Sequence, residues 1–144
     1  MDLINKDLVI LDMKANEKNL AIKELADLLR DRVSNQQIYL QAVMKREEEF
    51  TTGIGMGIAI PHGRSNSVKK SSLCFGRSKK GINYNSTDGQ PVHLLFLIAV
   101  PESSHDEHLK ILSQLSRKLM HENIRQALLQ AKTVDEVLTI IERE

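Results

Sequence analysis

Hydrophobic and polar positions follow two rhythms along the chain. From 17 to 33, Leu20, Leu25, Leu28, Leu29 and Val33 recur at helical spacing. This predicts an amphipathic helix with Asn16 as its cap. A second helix is predicted from Gln36 to Glu48, with Ile38, Leu40, Ala42 and Val43 as core contacts and Glu47-Glu48-Glu49 as its solvated end. The period then falls to two. Ile54, Met56, Ile58 and Ile60 alternate with Gly55, Gly57 and Ala59, which reads as one strand with one face stripped of bulk. Leu73 to Gly76 reads as another strand, and Gly81 to Gly89 as a hairpin or loop with Ile82 and Tyr84 facing one way. Val92 to Val100 is almost unbroken apolar sequence, as in a central strand covered on both faces.

Two capping boxes follow. Ser104-His105-Asp106-Glu107 opens a helix whose stripe runs through Leu109, Leu112, Leu115 and Leu119 to about Met120. Thr133-Val134-Asp135-Glu136 opens a last helix carrying Val137, Leu138, Ile140 and Ile141, with a short helix at 124–131 between the two. Helices thus flank strands at both ends and follow the central one. The expected architecture is a layered α/β domain with a mixed sheet.

The 144 residues suit a single domain spanning 1–144. With 41% hydrophobic and 27% charged residues the chain has a globular balance. A net charge of +1 and five aromatic residues argue against a nucleic-acid partner, which calls for a basic face or stacking platforms. Cys74 is the one cysteine; it lies in an apolar run and reads as a buried thiol. The longest apolar run, Leu94 to Val100, is far below the ~20 residues that span a bilayer. The N-terminal residues lack the basic-then-apolar pattern of a secretory signal. The expectation is a soluble cytoplasmic protein.

Among the five histidines, His62 has an unusual setting between Pro61 and Gly63. Proline fixes its own φ and holds Ile60 extended, and glycine leaves room for a partner to approach the ring. Such a ring projects from a strand end with little freedom. That suits a nucleophile presented to another protein, and an ordinary turn histidine fits the local pattern equally well. His108 falls in the first turn of the Ser104 helix, where unpaired amides favour anions and disfavour an imidazolium. A neutral imidazole on an anion-friendly surface suits phosphate handling; a solvated surface histidine is the plain alternative. Arg46 ends the second helix, and Arg64 lies two residues beyond His62, on the same side if the chain stays extended. Either guanidinium can neutralise a phosphoryl group, and either fits a solvated surface. His105 and His108 do not have the spacing of a metal-binding pair, His93 reads as structural, and His121 as a residue near a helix C-terminus that complements its dipole. No Gly-Lys-Ser/Thr follows the glycines at 53–57, so no nucleotide loop is expected, and the site calls for no metal or cofactor.

Glu47, Ile54-Gly55 and Ile58-Ala59-Ile60-Pro61-His62-Gly63 together resemble the signature of the type-2 IIA (EIIA) domains of the bacterial phosphoenolpyruvate:sugar phosphotransferase system, the fructose/mannitol class that includes the nitrogen-regulatory IIA proteins. Arg46-Glu47, Thr52-Gly53-Ile54-Gly55, the run from Leu95 to Pro101 and His108-Leu109 extend the likeness over nearly the whole chain. The resemblance implies an α/β/α layered fold. It implies that His62 is the phosphorylated residue, taking the phosphoryl group at Nε2 from the phosphohistidine of HPr. The group then passes to a cysteine of the IIB component, with the membrane component IIC beyond it. His108 would contact the phosphoryl group and Arg46 would be an active-site arginine. Arg64 rests on the alternation argument alone. Gly89-Gln90-Pro91-Val92 and Ile98 to Glu102 look most like the fructose-type branch. A regulatory IIA that controls partners through its phosphorylation state is the alternative.

Overall fold

In a computed structural model describing residues 3–143, the central apolar run is the middle of the sheet, as expected. Strand β6 (Val92–Pro101) pairs antiparallel with β5 (Ser72–Ile82), which pairs parallel with the short β1 (Val9–Ile10). Along its other edge β6 meets two strands in succession, both parallel to it: β3 (Ile58–Ala59) and β4 (His62–Ser65). Strand β2 (Gly53–Gly55) closes that side, antiparallel to β3. Residues 94–100 of β6 are almost wholly buried, and Phe75 and Phe96 stack across the β5–β6 pair with ring centroids 5.2 Å apart.

Register assigns the two faces. Gly63, Ala99, Leu95 and Gly76 are aligned across β4, β6 and β5 and so point the same way. This face is covered by α1 (Lys18–Ala26) and α2 (Gln36–Glu49): a Cβ on Gly76 would meet Leu25, and one on Gly63 would meet Val43 and Tyr39. The opposite face carries His62, Ile98, Phe96 and Arg77. Arg77 donates to the carbonyls of Leu128, Leu129 and Ala131 at the end of α4 (Glu122–Gln130), filling acceptors a helix terminus leaves open. With α3 (His105–Leu119) and α5 (Val134–Glu142) packed on α4, the result is the α/β/α sandwich with a mixed sheet. Among the described residues no helix is long and apolar enough to cross a membrane. Cys74 is buried, and that burial pushes its thiol up to about 12.

Several boundaries differ from the sequence expectation, each for a physical reason. The predicted 17–33 helix stops at Ala26. Its last turn tightens through Leu28 N to Leu25 O and Leu29 N to Ala26 O, Arg30 takes a left-handed φ of 40°, and Val33 pairs with Val68 across a bridge. Periodicity persists because Leu29 and Val33 are still buried, but by a different backbone. The helix begins without a side-chain cap: Asn16 instead accepts Asn83 N through its carbonyl. In α2 the buried stripe is Tyr39, Val43 and Glu47, while Ile38 is exposed. The single strand at 54–60 is instead a hairpin. Met56 and Gly57 both have positive φ (58° and 75°), as a two-residue turn of the primed kind requires, so Ile54 and Met56 are exposed while Ile58 and Ile60 are buried. Thr133 caps α5 by accepting from Glu136 N at 3.1 Å. Ser104 makes no such bond; the glutamate of that box, Glu107, is held by the Ser71 hydroxyl at 2.5 Å.

Candidate functional site

His62 opens β4 rather than ending the strand before it. The break at Pro61 separates β3 from β4, and it leaves the Ile60 carbonyl 2.9 Å from His62 Nδ1. A carbonyl only accepts, so Nδ1 carries the proton. In the neutral ring the lone pair then lies on Nε2. Burial lowers the His62 pKa below the ordinary imidazole value, opposed by the Ile60 bond and Glu47 and reinforced by Arg46, which favours the neutral ring. Backbone placement thus selects the tautomer, and burial disfavours the charged form of the ring.

His108, fourth residue of α3, meets this ring edge to face, with centroids 4.9 Å apart and planes at 64°. Only 8% of its surface is exposed, so the solvated-surface alternative is set aside. Burial first, then His62, Arg64, His105 and Arg46, lower its pKa to about 4. Its Nε2 is buried and has no hydrogen-bond partner among the described residues. An unpaired buried polar atom carries a cost of ~1–3 kcal/mol.

The two imidazoles share a cleft of about 310 Å³ with Arg46 from the last turn of α2 and Arg64 from β4. Alternation along β4 puts His62 and Arg64 on one side, as the sequence predicted, with Gly63 turned into the fold. The glycine therefore serves a different purpose from the one expected. A Cβ there would lie 2.9 Å from Val43 Cγ2 and 3.2 Å from Val43 N, so Gly63 admits α2 against β4 and brings Arg46 to the edge of the cleft. Arg46 is oriented by donating through Nη1 to Phe50 O at 2.7 Å, and Arg64 reaches Glu102 O at 3.4 Å. All four candidate residues converge. Two guanidiniums and two imidazoles whose charged forms are disfavoured make a cleft with the donors and positive charge that suit a small anion.

His93 is half-buried, with Nδ1 2.8 Å from Ser78 O, in the structural role expected of it. His121 is exposed at the start of α4. Larger depressions of about 480 and 570 Å³, lined from α4 and α5 and from α3 and α5, contain none of the four site residues. The pattern reading missed Lys18, Thr52 and Tyr84, which join Glu47 in a buried polar cluster behind Arg46. The signal available was the pair Tyr39 and Val43 at helical spacing from Glu47, which puts the carboxylate on the inner stripe.

Residues 2–144 match the family described as phosphoenolpyruvate-dependent sugar phosphotransferase system, EIIA 2. The chain is 42% identical over 142 residues to the PTS system fructose-specific EIIABC component of Bacillus subtilis, covering 97% of this chain and 22% of that protein, so it spans about a fifth of that relative's length. It is 44% identical over 137 residues to the PTS system fructose-specific EIIA component of Haloferax volcanii, covering 92% and 89%. The crystal structure of nitrogen regulatory protein IIA-Ntr from Neisseria meningitidis superposes with a TM-score of 0.91 at 33% identity, covering 97% of both chains. Enzyme IIAMTL, in its complex with phosphorylated IIBMTL from Escherichia coli, superposes with a TM-score of 0.84 at 25% identity, covering 98% of both. Sequence, layering and site agree: the chain belongs to the EIIA type-2 family of the phosphoenolpyruvate-dependent sugar phosphotransferase system.

Proposed function

We propose that this chain is a single EIIA type-2 domain that carries a phosphoryl group on His62 Nε2 between phospho-HPr and the cysteine of a IIB component, in the cytoplasmic arm of uptake of a fructose-like sugar. The supporting observation is the Nδ1–H bond to Ile60 O, which leaves Nε2 as the free base of a neutral ring. The Nε2 lone pair attacks phosphorus in line. The N–P bond of the donor histidine breaks, and its electron pair returns to the HPr imidazole. In the second step the IIB thiolate attacks, an S–P bond forms, and the N–P electron pair returns to His62. Phosphoryl transfer through a loose transition state asks for little beyond alignment and positive potential around three oxygens. Arg46 and Arg64 supply the potential, and His108 Nε2 gains an acceptor when a phosphoryl oxygen arrives. Both donor and acceptor are proteins, and they would meet His62 at this cleft one after the other.

The sugar itself would never touch this domain; the fructose-type assignment rests on the 42–44% identity to the two fructose-specific relatives. The close superposition on IIA-Ntr supports a second reading, in which the phosphorylation state controls partner proteins. Incubation with phosphoenolpyruvate, Enzyme I and HPr should add one acid-labile phosphoryl group, and His62→Ala should abolish it. Phosphorylation at any other residue overturns the assignment. Onward transfer to a fructose-type IIB separates the carrier from the regulator.

A further inference from the structure

Glu47 is a carboxylate at the end of a helix, where its glutamate neighbours Glu48 and Glu49 are exposed and it alone is buried. It accepts from Thr52 N at 3.2 Å, from the Thr52 hydroxyl, and from the Tyr84 hydroxyl at 3.0 Å, and it pairs with Lys18 Nζ at 3.1 Å. The Thr52 and Tyr84 hydroxyls are 2.9 Å apart, and the Lys18 ammonium sits 4.8 Å above the Tyr84 ring centre. One carboxylate therefore ties together the start of α1, the end of α2, the approach to β2 and the loop after β5. A buried ion pair adds little net stability over an apolar replacement, because desolvation offsets the attraction. Its presence here is better explained by geometry.

Two routes lead from this carboxylate to the reacting groups. Arg46 is the preceding residue, so its side chain leaves α2 about 100° around the helix: Glu47 points inward and Arg46 lines the His62 cleft. On the other side Thr52, held by Glu47, accepts Ile60 N through its carbonyl at 3.0 Å, and the Ile60 carbonyl holds His62 Nδ1 at 2.9 Å. The guanidinium and the imidazole are thus referenced to the same side chain.

We propose that Glu47 is a positioning residue for phosphoryl transfer, fixing the α2 terminus so that Arg46 faces the nucleophile whose anchor is built on the same network. The proposal rests on the phosphoryl-carrier reading, so phosphorylation of the wild-type chain at His62 is established first; its absence counts against that reading alone. Glu47→Gln keeps the shape and removes the charge. Misplacement of a catalytic group by about 1 Å costs on the order of 100-fold, so kcat for acceptance from phospho-HPr should fall about 10- to 100-fold. KM should stay within about twofold, because the docking surface is untouched. In an Arg46→Ala background the same substitution should cost less than about threefold, because the group it positions is already gone. A role confined to stability would lower the melting temperature and leave kcat alone. A folded Glu47→Gln with wild-type kcat, or a kcat loss that multiplies fully with that of Arg46→Ala, overturns the proposal. Tyr84→Phe removes one donor with little change of volume and decides the question if Glu47→Gln does not fold. It should slow transfer severalfold, and wild-type kcat in it is likewise fatal.

Discussion

His62 and His93 lie beside the same sheet and are anchored in the same way. Each places Nδ1 against a main-chain carbonyl, Ile60 O at 2.9 Å and Ser78 O at 2.8 Å, and each is half-buried. Their surroundings differ. The His93 ring is boxed by main chain: a Cβ on Gly81 would lie 3.2 Å from its Cε1, and one on Gly57 3.8 Å from its Cδ2. The His62 ring faces a second imidazole at 4.9 Å and two guanidiniums across an open cleft. A pinned tautomer is therefore not special to the cleft, and the two rings differ in what the fold places beside them. The comparison also separates two uses of glycine. Gly81 makes room for a ring that stays in place, while Gly63 makes room for α2, the helix that delivers Arg46.

That contrast can be broken in order of expected effect. Arg46→Ala should slow phosphoryl acceptance about 100- to 1,000-fold, the usual loss when one preorganised donor to developing charge is removed. A loss below about threefold, measured by single-turnover transfer from phospho-HPr, would show that the cleft does not work by charge.

His108→Gln should slow onward transfer to IIB by about 10- to 100-fold while the protein stays folded. It should also change the pH dependence of stability. The folded-state pKa of His108 is about 4, below the ordinary value of 6.5 shown by the unfolded chain. The unfolded chain thus binds the proton first, so this residue's contribution is full above pH 6.5 and is lost as pH falls from 6.5 to about 4. The lowered pKa of His62 acts in the same direction. Chemical denaturation at pH 7 and pH 5 should therefore show His108→Gln losing less stability than wild type on acidification. Equal losses would mean that the imidazole is not held neutral.

The smallest effect is expected at the structural twin. His93→Asn should leave phosphoryl transfer within about twofold of wild type and cost about 1 kcal/mol, the net worth of one hydrogen bond. A transfer defect comparable to that of His108→Gln would erase the distinction between the two histidines.

Much of the layout was legible in the sequence, and the misses have two causes: remote partners and a turn that leaves alternation unchanged. The unbroken apolar run at 92–100 announces a central strand because only a strand covered on both faces has no polar position. Thr133 announces its helix because its partner, Glu136 N, is local. Ser104 has the same pattern and its helix does begin there, but its backbone (φ −102°, ψ 52°) leaves the extended form in which a cap hydroxyl reaches back, and Glu107 is engaged by Ser71, far away in sequence. The strand read at 54–60 fails because alternation survives a two-residue turn, and only the positive φ values of Met56 and Gly57 reveal the fold-back.

Local periodicity and the Pro-His-Gly setting, by themselves, determined the order of the main helices, the two-sided central strand and the presence of a constrained imidazole at a strand end. These depend on the neighbours a residue has along the chain. Only tertiary structure brought His108 against His62, turned Gly63 toward α2 and drew Glu47 out of solvent. Each of these depends on a partner from a distant segment: a carboxylate is buried only where remote donors replace its water, and an imidazole is neutralised only where packing removes its solvent.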